Sequence, residues 1–437
     1  MSHRKNTLLI LSQVYVPDPA SVGQHMADAA VEMTRRGYRV RVLTSARGYD
    51  DPTKKYPARE TIDGVEVIRL PLSSFGKKSI PLRLLGGVLF MLQAIVRGLL
   101  TPGLKSILVS TSPPMCSAAA VVIGALRRAS ITYWVMDLNP DQMIELGKAK
   151  PGSLVVKVFN AFNRVILGRA REIVALDRFM AERLLKKKDV SAKLSVMPPW
   201  PHEDELKVVP HGANPFRKEH GFGGEAGDPA RQFVVMYSGN HGFSTPVTTV
   251  LGAALKLQHR TDIVFMFIGG GVGKKEVDKI VAEQKPTNIR TLPYQPLSQI
   301  KYSLSAADVH LVSVGNDVVG VVHPCKVYGA MAVARPILLL GPEPCHVSDL
   351  VGQHRIGWHI AHGDVEGAAR MIEQIAATPR GELESMGRRA QEIIGRQFSK
   401  PILCCRFCDV VERGLINDGR EPSPARADSR PAETNAS

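Results

Sequence analysis

Three segments in the second half of the chain have residue types that could bind a phosphate group. Residues 237–242 and 268–273 are rich in glycine and follow apolar strand patterns, so their backbone N–H groups could approach a phosphate closely. Tight strand-to-helix turns also use glycine, which is the alternative explanation. The third segment, 323–329, places Lys326 at the predicted start of a helix, where the helix dipole disfavours a cation. A bound diphosphate would supply the missing anion, so we predict that Lys326 contacts phosphate; simple solvent exposure is the alternative.

Two runs of alternating strand and helix patterns must position these segments. Such alternation predicts parallel sheets with right-handed crossovers, and hence an α/β protein with two doubly wound Rossmann-like domains facing a central cleft. The predicted strands are at 8–11, 39–44, 65–70, 106–110, 131–136, 172–175 and 193–197 in the first run, and at 233–237, 263–268, 289–292, 309–312 and 336–340 in the second.

The length of 437 residues also favours two domains, because a single hydrophobic core rarely grows that large. Residues 201–231 are rich in Gly, Pro and charge, which is typical of a linker or a long loop. We therefore predict a first domain at 1–200, a linker at 201–231, a second domain at 232–395, a C-terminal helix at 396–416 that could return to the first domain, and a disordered tail at 417–437.

The net charge of +15 belongs to the first domain. Residues 1–200 contain 30 Lys and Arg against 15 Asp and Glu, whereas residues 201–437 contain 26 of each. The same domain holds an apolar segment, 80–100, flanked by Lys77, Lys78 and Lys105. Arg83 and Arg97 interrupt this segment, and the uncharged stretch between them is too short to span a membrane. The basic excess favours an interfacial helix on an anionic membrane, and a buried crossover helix is the alternative.

The six cysteines and the start of the chain indicate a reducing compartment. No secretory signal pattern precedes the first strand, and the Cys404–Cys408 cluster lacks the second ligand pair that a zinc site needs. We expect free thiols, no metal and a cytoplasmic protein at the inner face of the plasma membrane. No basic motif interleaved with aromatic residues suggests a nucleic-acid partner.

Seven short motifs, taken in order and spacing, are similar to those of a known enzyme family. The chain resembles the family 4 glycosyltransferases of the GT-B fold, in the group that builds bacterial exopolysaccharide and lipopolysaccharide and includes fucosamine and colanic-acid transferases. The resemblance runs from about residue 8 to 407, and its motifs are at 17–25, 63–67, 111–114, 137–141, 237–242, 305–310 and 324–336.

This resemblance implies roles for particular residues. The residues implied to bind the donor are Lys326, Tyr328, Gly239, Asn240, His241 and Tyr294 in the second domain, and Gly23 and Gln24 in the first. On the acceptor side it implies Asp141 and Asp137. Asp137 is the first candidate for assisting the acceptor hydroxyl and His25 the second, although Asp137 could instead be a helix N-cap.

The sequence also departs from the wider family. Two glutamates that many members have are replaced by Val321 and Gly329, which leaves the binding of the ribose unexplained. Because no glutamate remains there to act as a nucleophile, we expect retention of configuration by same-face attack, with Lys326 stabilising the leaving diphosphate. No Asp-x-Asp metal signature is present, so no metal or other cofactor is expected.

The expected reaction moves a sugar from a nucleotide-sugar, taken to be a UDP-sugar, to a membrane lipid-linked or polysaccharide acceptor. Two alternatives stay open. A GT-B-fold epimerase would share the cleft but release an epimerised nucleotide-sugar. An inactive scaffold of a polysaccharide assembly would bind the donor without turnover.

Overall fold

The first domain is a mainly parallel sheet with helices on both faces. The computed structural model describes residues 6–18, 20–48, 51, 53–71, 73, 80–113, 116–201, 207–224, 228 and 231–416. The strands of the first sheet are β1 Thr7–Leu11, β2 Arg39–Ser45, β3 Arg59–Ile62, β4 Val65–Leu70, β5 Leu104–Ser110, β6 Ser130–Trp134, β7 Glu172–Ala175 and β8 Leu194–Val196. Their order is β3-β4-β2-β1-β5-β6-β7-β8; β3 runs antiparallel to β4 and the other neighbours run parallel. Central strand β1 is buried throughout because helices cover both of its faces.

The helices of this domain connect successive parallel strands. They are α1 Ser21–Arg35, α2 Ile80–Leu99, α3 Cys116–Arg127, α4 Asp141–Glu145, α5 Leu154–Arg169 and α6 Arg178–Lys187. Helix α2 packs on the core through one face and exposes the other: Phe90 and Ala94 are buried, whereas Leu92 and Val96 are more than half exposed. Lys77 and Lys78 lie outside the described residues. No described helix has the length and apolar content that crossing a bilayer requires.

The second domain is a parallel sheet in the doubly wound order. Its strands are β9 Phe233–Asn240, β10 Ile263–Gly270, β11 Ile289–Leu292, β12 Val309–Ser313, β13 Ile337–Leu340 and β14 Gly357–Ile360, arranged β11-β10-β9-β12-β13-β14. Its helices are α7 Pro215–Glu219, α8 Thr248–Lys256, α9 Val272–Gln284, α10 Ile300–Ser305, α11 Lys326–Ala332, α12 His346–His354, α13 Val365–Ala377 and α14 Arg380–Ile393. In this strand order the direction of winding reverses between β9 and β12, and ligands of such sheets bind at the carboxyl ends of these strands.

Part of the segment predicted as a linker packs against the second domain. In α7 the side chain of Arg217 is fully buried, and its guanidinium donates to the carbonyl oxygens of Ala306 at 2.6 Å and Gln232 at 2.7 Å. It also lies 3.2 Å from the Asp308 carboxylate. A buried guanidinium is tolerated because these acceptors satisfy it. Described residues 207–224 therefore extend the second domain.

The last helix, α15 Lys400–Leu415, returns to the first domain. The ring of Phe407 lies 4.2 Å from that of Trp134, and the Arg36 guanidinium contacts Asp409 at 2.7 Å and Glu412 at 3.0 Å. Leu403, Cys408 and Val411 are buried in the same core as β1. The first core is thus completed by residues nearly 400 positions apart in the sequence. All six cysteines are free thiols.

Candidate functional site

A cleft of about 650 Å³ lies between the two domains, at the carboxyl edge of the second sheet. The second domain contributes the ends of β9 and β12, the segment after β11, and the start of α11. The first domain contributes the start of α1 and the segment that follows β8. The lining includes Gly239, Asn240, Tyr294, Lys326 and Tyr328 from the second domain, and Ser21, His25 and Trp200 from the first. Several residues predicted from distant motifs therefore meet in one cavity.

Glycines at the ends of β9 and β10 let the cleft wall form. Gly239 and Gly269 have φ values of +131° and +125°, which side-chain-bearing residues rarely adopt. A Cβ on Gly269 would lie 2.0 Å from the carbonyl oxygen of Gly239, and a Cβ on Gly239 would lie 2.6 Å from Cε of Lys326. The glycine segments are therefore strand ends in close contact, and the lysine stem lies directly on the backbone of β9.

Lys326 is the first residue of α11, and its side chain is partly buried in the cleft. Its Nζ atom lies 5.3 Å from the centre of the Tyr237 ring. Within the described part of the chain it forms no ion pair, and burial lowers its pKa to about 8. A cation that has lost water without gaining a carboxylate would be stabilised by an anionic ligand.

His241 is placed differently from the prediction. Its side chain is buried, with Nδ1 3.1 Å from the Gly239 carbonyl oxygen, and its backbone N–H donates to Gly270. Burial and the nearby Lys274 lower its pKa to about 4, so the ring is neutral. It does not line the cleft; it supports the turn at the end of β9.

Several residues separate the turn after β9 from the next helix. Helix α8 begins at Thr248, several residues later, and Phe243 between them is largely exposed. Backbone N–H groups of a helix start are therefore not adjacent to Asn240. The contribution of this segment to the cleft is the exposed strand-end backbone at Gly239 and Asn240.

Helix α1 turns two of its residues to the cleft. These are Ser21 and His25, which lie one helical turn apart. The ring nitrogens of His25 lie 2.7 Å from the carbonyl oxygens of Ser21 and Trp200, and these contacts leave the ring poorly placed to take a proton from an acceptor. Gly23 instead packs against the first loop, where a Cβ would lie 3.0 Å from the Tyr15 nitrogen. Among the described residues, neither Gly23 nor Gln24 lines the cleft.

Asp137 follows β6 at the junction of the domains. It forms an antiparallel bridge with Val322, and its N–H donates to the Thr111 hydroxyl at 3.0 Å. Burial raises the pKa of its carboxyl group to about 6. It is not a helix N-cap, because α4 begins at Asp141 with Pro140 preceding it. Asp137 lies outside the described lining of the cleft but beside the segment that leads to Lys326.

Asp141 has its charge satisfied by cations on α6. Its carboxylate lies 2.7 Å from Lys187 Nζ and 3.8 Å from the Arg183 guanidinium. These contacts join α4 to α6 away from the cleft. The structure therefore gives Asp141 a positioning contact within the first domain rather than a place at the cleft.

A polar network that the sequence analysis missed crosses the domain interface. The Tyr328 hydroxyl lies 2.8 Å from Nε2 of His323 and 3.0 Å from Nε2 of His346, while Nδ1 of His323 lies 2.7 Å from the Asp177 carboxylate. Asp177 belongs to the first domain and is 146 residues away from His323, so no local pattern marks the pair. Ligand atoms of the Asp and the two His lie within 4.8 Å of one another, but the tyrosine hydroxyl bridges the imidazoles.

The chain has recognisable relatives. Residues 21–200 match the family model described as a glycosyl transferase 4-like domain. The chain is 26% identical over 298 residues to the probable glycosyltransferase WbjE of Pseudomonas aeruginosa, covering 68% of this chain and 72% of the relative. It is 22% identical to the putative colanic acid biosynthesis glycosyl transferase WcaI of Escherichia coli, covering 75% and 81%. The solved structure of Anabaena HepE in complex with UDP-glucose superposes with a TM-score of 0.66 at 13% identity, covering 93% and 99%.

Two facing Rossmann-like domains with a cleft between them, together with these relatives, define a glycosyltransferase of the GT-B fold. Within that class, residues 21–200 are similar to the glycosyl transferase 4-like domain. The family resemblance and the fold predicted from the sequence are both confirmed.

Proposed function

We propose that the protein transfers a sugar from a nucleotide-sugar to a lipid-linked or polysaccharide acceptor during cell-surface glycan synthesis. The observation that carries this proposal is Lys326, a partly buried cation in the cleft without an ion-pair partner among the described residues. A diphosphate is the anion that fits beside it, because the strand-end residues Gly239 and Asn240 line the same cleft as Lys326 and offer polar backbone groups there. The similarity to WcaI, which is named for colanic acid biosynthesis, supports a role in cell-surface glycan synthesis. The structural similarity to HepE in complex with UDP-glucose supports a UDP-sugar as the donor.

In this proposal the leaving diphosphate is stabilised without a metal. With a pKa of about 8, Lys326 is mostly protonated at neutral pH and can neutralise the charge that develops as the glycosidic bond to phosphate breaks. The described lining of the cleft contains no carboxylate that could form a covalent glycosyl intermediate. This favours attack by the acceptor hydroxyl on the same face, with retention of configuration. Asp137 is the candidate base for that hydroxyl.

A ligand panel tests the donor assignment. UDP-, GDP- and ADP-glucose are each added to the purified protein, and the melting temperature is measured, because a ligand specific for the folded state raises it. We expect the UDP-sugar to give the largest shift. Product analysis with a lipid-linked acceptor then distinguishes the alternatives: free UDP with glycosylated lipid supports transfer, an epimerised nucleotide-sugar indicates an epimerase, and binding without any product indicates a scaffold.

We further propose that α2, α3 and α5 form the surface that docks on an anionic membrane. Helix α3 contacts both α2 and α5. All three helices leave large apolar side chains exposed, namely Leu82, Leu85, Leu92, Val96, Val122, Leu126, Leu154, Val155, Val158, Phe162 and Val165. On α5 the exposed apolar positions alternate with the exposed cations Lys157, Arg164 and Arg169. Basic residues beside an apolar helix face suit an anionic lipid surface.

The docking surface is tested by co-sedimentation with vesicles of phosphatidylglycerol and phosphatidylcholine. Changing Val158→Asp together with Phe162→Asp should weaken vesicle binding by about tenfold, since each substitution places a charge where an apolar side chain would enter the headgroup region. Leu297→Asp is the matched control, because Leu297 is 85% exposed in the second domain. Equal binding of both variants would remove the surface from consideration.

A further inference from the structure

His323 connects the cleft segment of the second domain to the first domain. Its side chain is 1% exposed and that of Asp177 is 3% exposed, so the 2.7 Å contact between them is shielded from water. Asp177 is itself fixed, because its second oxygen accepts from the backbone N–H of Met180 at 2.8 Å and caps α6. The connection therefore joins two rigid elements and not two mobile surface side chains.

The hydrogen-bond directions in this network are mutually consistent. A carboxylate accepts only, so the Nδ1–H of His323 donates to Asp177, and its Nε2 then accepts from the Tyr328 hydroxyl. The tyrosine oxygen in turn accepts from Nε2–H of His346. Burial lowers the pKa of His346 to about 3, which keeps that ring neutral. Burial alone would raise the pKa of Asp177, but the hydrogen bond from His323 holds it below the usual value.

The backbone around His323 is also held against the first domain. Leu138 donates to the carbonyl oxygen of Val321 at 3.0 Å, and the Arg183 guanidinium donates to that of Val319 at 2.8 Å. Gly320, with a φ of +70°, approaches the Phe179 backbone so closely that a Cβ would lie 2.6 Å from it. The segment just before His323 is thus fixed, while the next described residues lead within three positions to Lys326.

We propose that His323 is a positioning residue for glycosyl transfer, which holds Lys326 at the donor diphosphate by linking Asp177 of the first domain to Tyr328 of the second. The proposal rests on the proposed diphosphate site at Lys326. Lys326 lies between His323 and Tyr328 in sequence, so the two ends of its turn are both tied into the network. Loss of the link lets the start of α11 move relative to Gly239, and small displacements of a binding group are costly.

The same interface supplies a control that separates positioning from simple adhesion of the domains. Arg178 and Asp349 form a bidentate ion pair between the domains, at 2.6 and 3.0 Å, with the arginine side chain 52% exposed. This pair does not involve the segment that carries Lys326. Arg178→Ala should therefore remove a bidentate contact between the domains while leaving the segment that carries Lys326 in place.

The test compares full-length variants by two measurements: calorimetric binding of UDP, and amide hydrogen exchange of residues 324–332 in the free protein. We expect His323→Ala to weaken UDP binding about tenfold and to speed exchange in this segment, and Arg178→Ala to change binding less than twofold. His323→Asn, which keeps a donor toward Asp177, should bind within about threefold of the unmodified protein. If His323→Ala does not fold, the same measurements are made on His323→Asn and Tyr328→Phe. We expect Tyr328→Phe to weaken UDP binding more than His323→Asn does.

A double variant decides whether His323 acts through Lys326. If it does, His323→Ala combined with Lys326→Ala binds UDP no more weakly than Lys326→Ala alone, because coupled residues are not additive. Additive losses, equal losses in the His323 and Arg178 variants, or unchanged binding in His323→Ala would each overturn the positioning role. If Lys326→Ala binds UDP as tightly as the unmodified protein, or if UDP, GDP and ADP all fail to bind, the donor site itself is wrong and the positioning role fails with it.

Discussion

The two domains are both doubly wound α/β units but differ in their charge and in their exposed surface. The first carries the whole net charge of the chain and exposes leucine, valine and phenylalanine side chains along α2, α3 and α5. The second is electrically neutral overall, and its large exposed apolar residues, such as Phe243, Val272 and Tyr294, do not share one helix face. Near the ends of β9 and β10 it has glycines with positive φ, next to one partly buried lysine.

The two domains therefore use charge in two ways, one long-range and one at contact distance. A field summed over many surface cations acts over a Debye length and is weakened by salt. A single desolvated lysine acts at contact distance and is screened much less. We infer that the first domain brings the protein to an anionic surface, whereas the second stabilises charge on one bound group.

Replacing Lys326 by alanine should give the largest effect on turnover. We expect kcat to fall by about 10²–10³-fold, the range seen when one group that stabilises a developing oxyanion is removed. Thermal stability should be unchanged or higher, because the folded protein no longer holds a desolvated cation without a counter-ion. Lys279→Ala is the control, since that side chain is 70% exposed in the same domain. Near-normal turnover in Lys326→Ala would contradict the proposal that the second domain stabilises the leaving diphosphate through Lys326.

The next effect tests whether the first domain contributes a titrating group to the chemistry. Burial raises the pKa of Asp137 to about 6, so if Asp137 is the base, kcat/KM of the unmodified enzyme should rise as pH increases through 6. Asp137→Asn should lower kcat by about 10²-fold and remove this acidic limb. If kcat/KM of Asp137→Asn still rises through pH 6, a different group causes the pH dependence.

Although Asp137→Asn should lower kcat, it should increase the stability of the protein at neutral pH. A carboxyl group whose pKa is raised on folding stabilises the protein fully below its unfolded value near 4, and this contribution is lost as pH rises through about 6. Asp137→Asn should therefore increase the free energy of unfolding by about 3 kcal/mol at pH 7.5 and change it little at pH 4. Denaturant titrations at the two pH values measure the difference.

The smallest expected effect concerns the strand-end glycines of the second domain. Gly269→Ala would force a Cβ against the carbonyl oxygen of Gly239, at a φ of +125°, and should destabilise the protein by about 2 kcal/mol. Gly352→Ala in α12 is the matched control, because no atom lies within 4 Å of its Cβ position and alanine favours a helix. If both variants had equal stability, the close contact between β9 and β10 would be relaxed in solution.

Sequence patterns predicted the core strands well because continuous apolar runs between turn residues leave few alternatives. They missed β3 and β14, since Arg59–Ile62 is mostly polar and Gly357–Ile360 begins with glycine; these strands form because a neighbouring edge offers partners. For the cleft, the motifs singled out Lys326, Gly239 and Tyr294, which line one cavity in the structure; their role in donor binding stays a prediction.

Side-chain direction was harder to predict than position along the chain. His241 lies in the predicted turn, but its side chain is buried. Gly23 lets helix α1 pack closely against the backbone of Tyr15 within the first domain. Asp141 is neutralised by Lys187, which is a contact between separate helices. The link between Asp177 and His323 depends on how two independently formed sheets meet, and no spacing within one element encodes it.

The return of α15 to the first domain also bears on biosynthesis. Leu403, Phe407 and Val411 complete the core around β1, yet a ribosome makes them after the whole second domain. During translation, the second domain can close its own core while the first still exposes apolar surface that awaits its final helix. The amino-terminal half of the chain should thus be the last part to reach its native state, which makes it the natural client of a chaperone during synthesis.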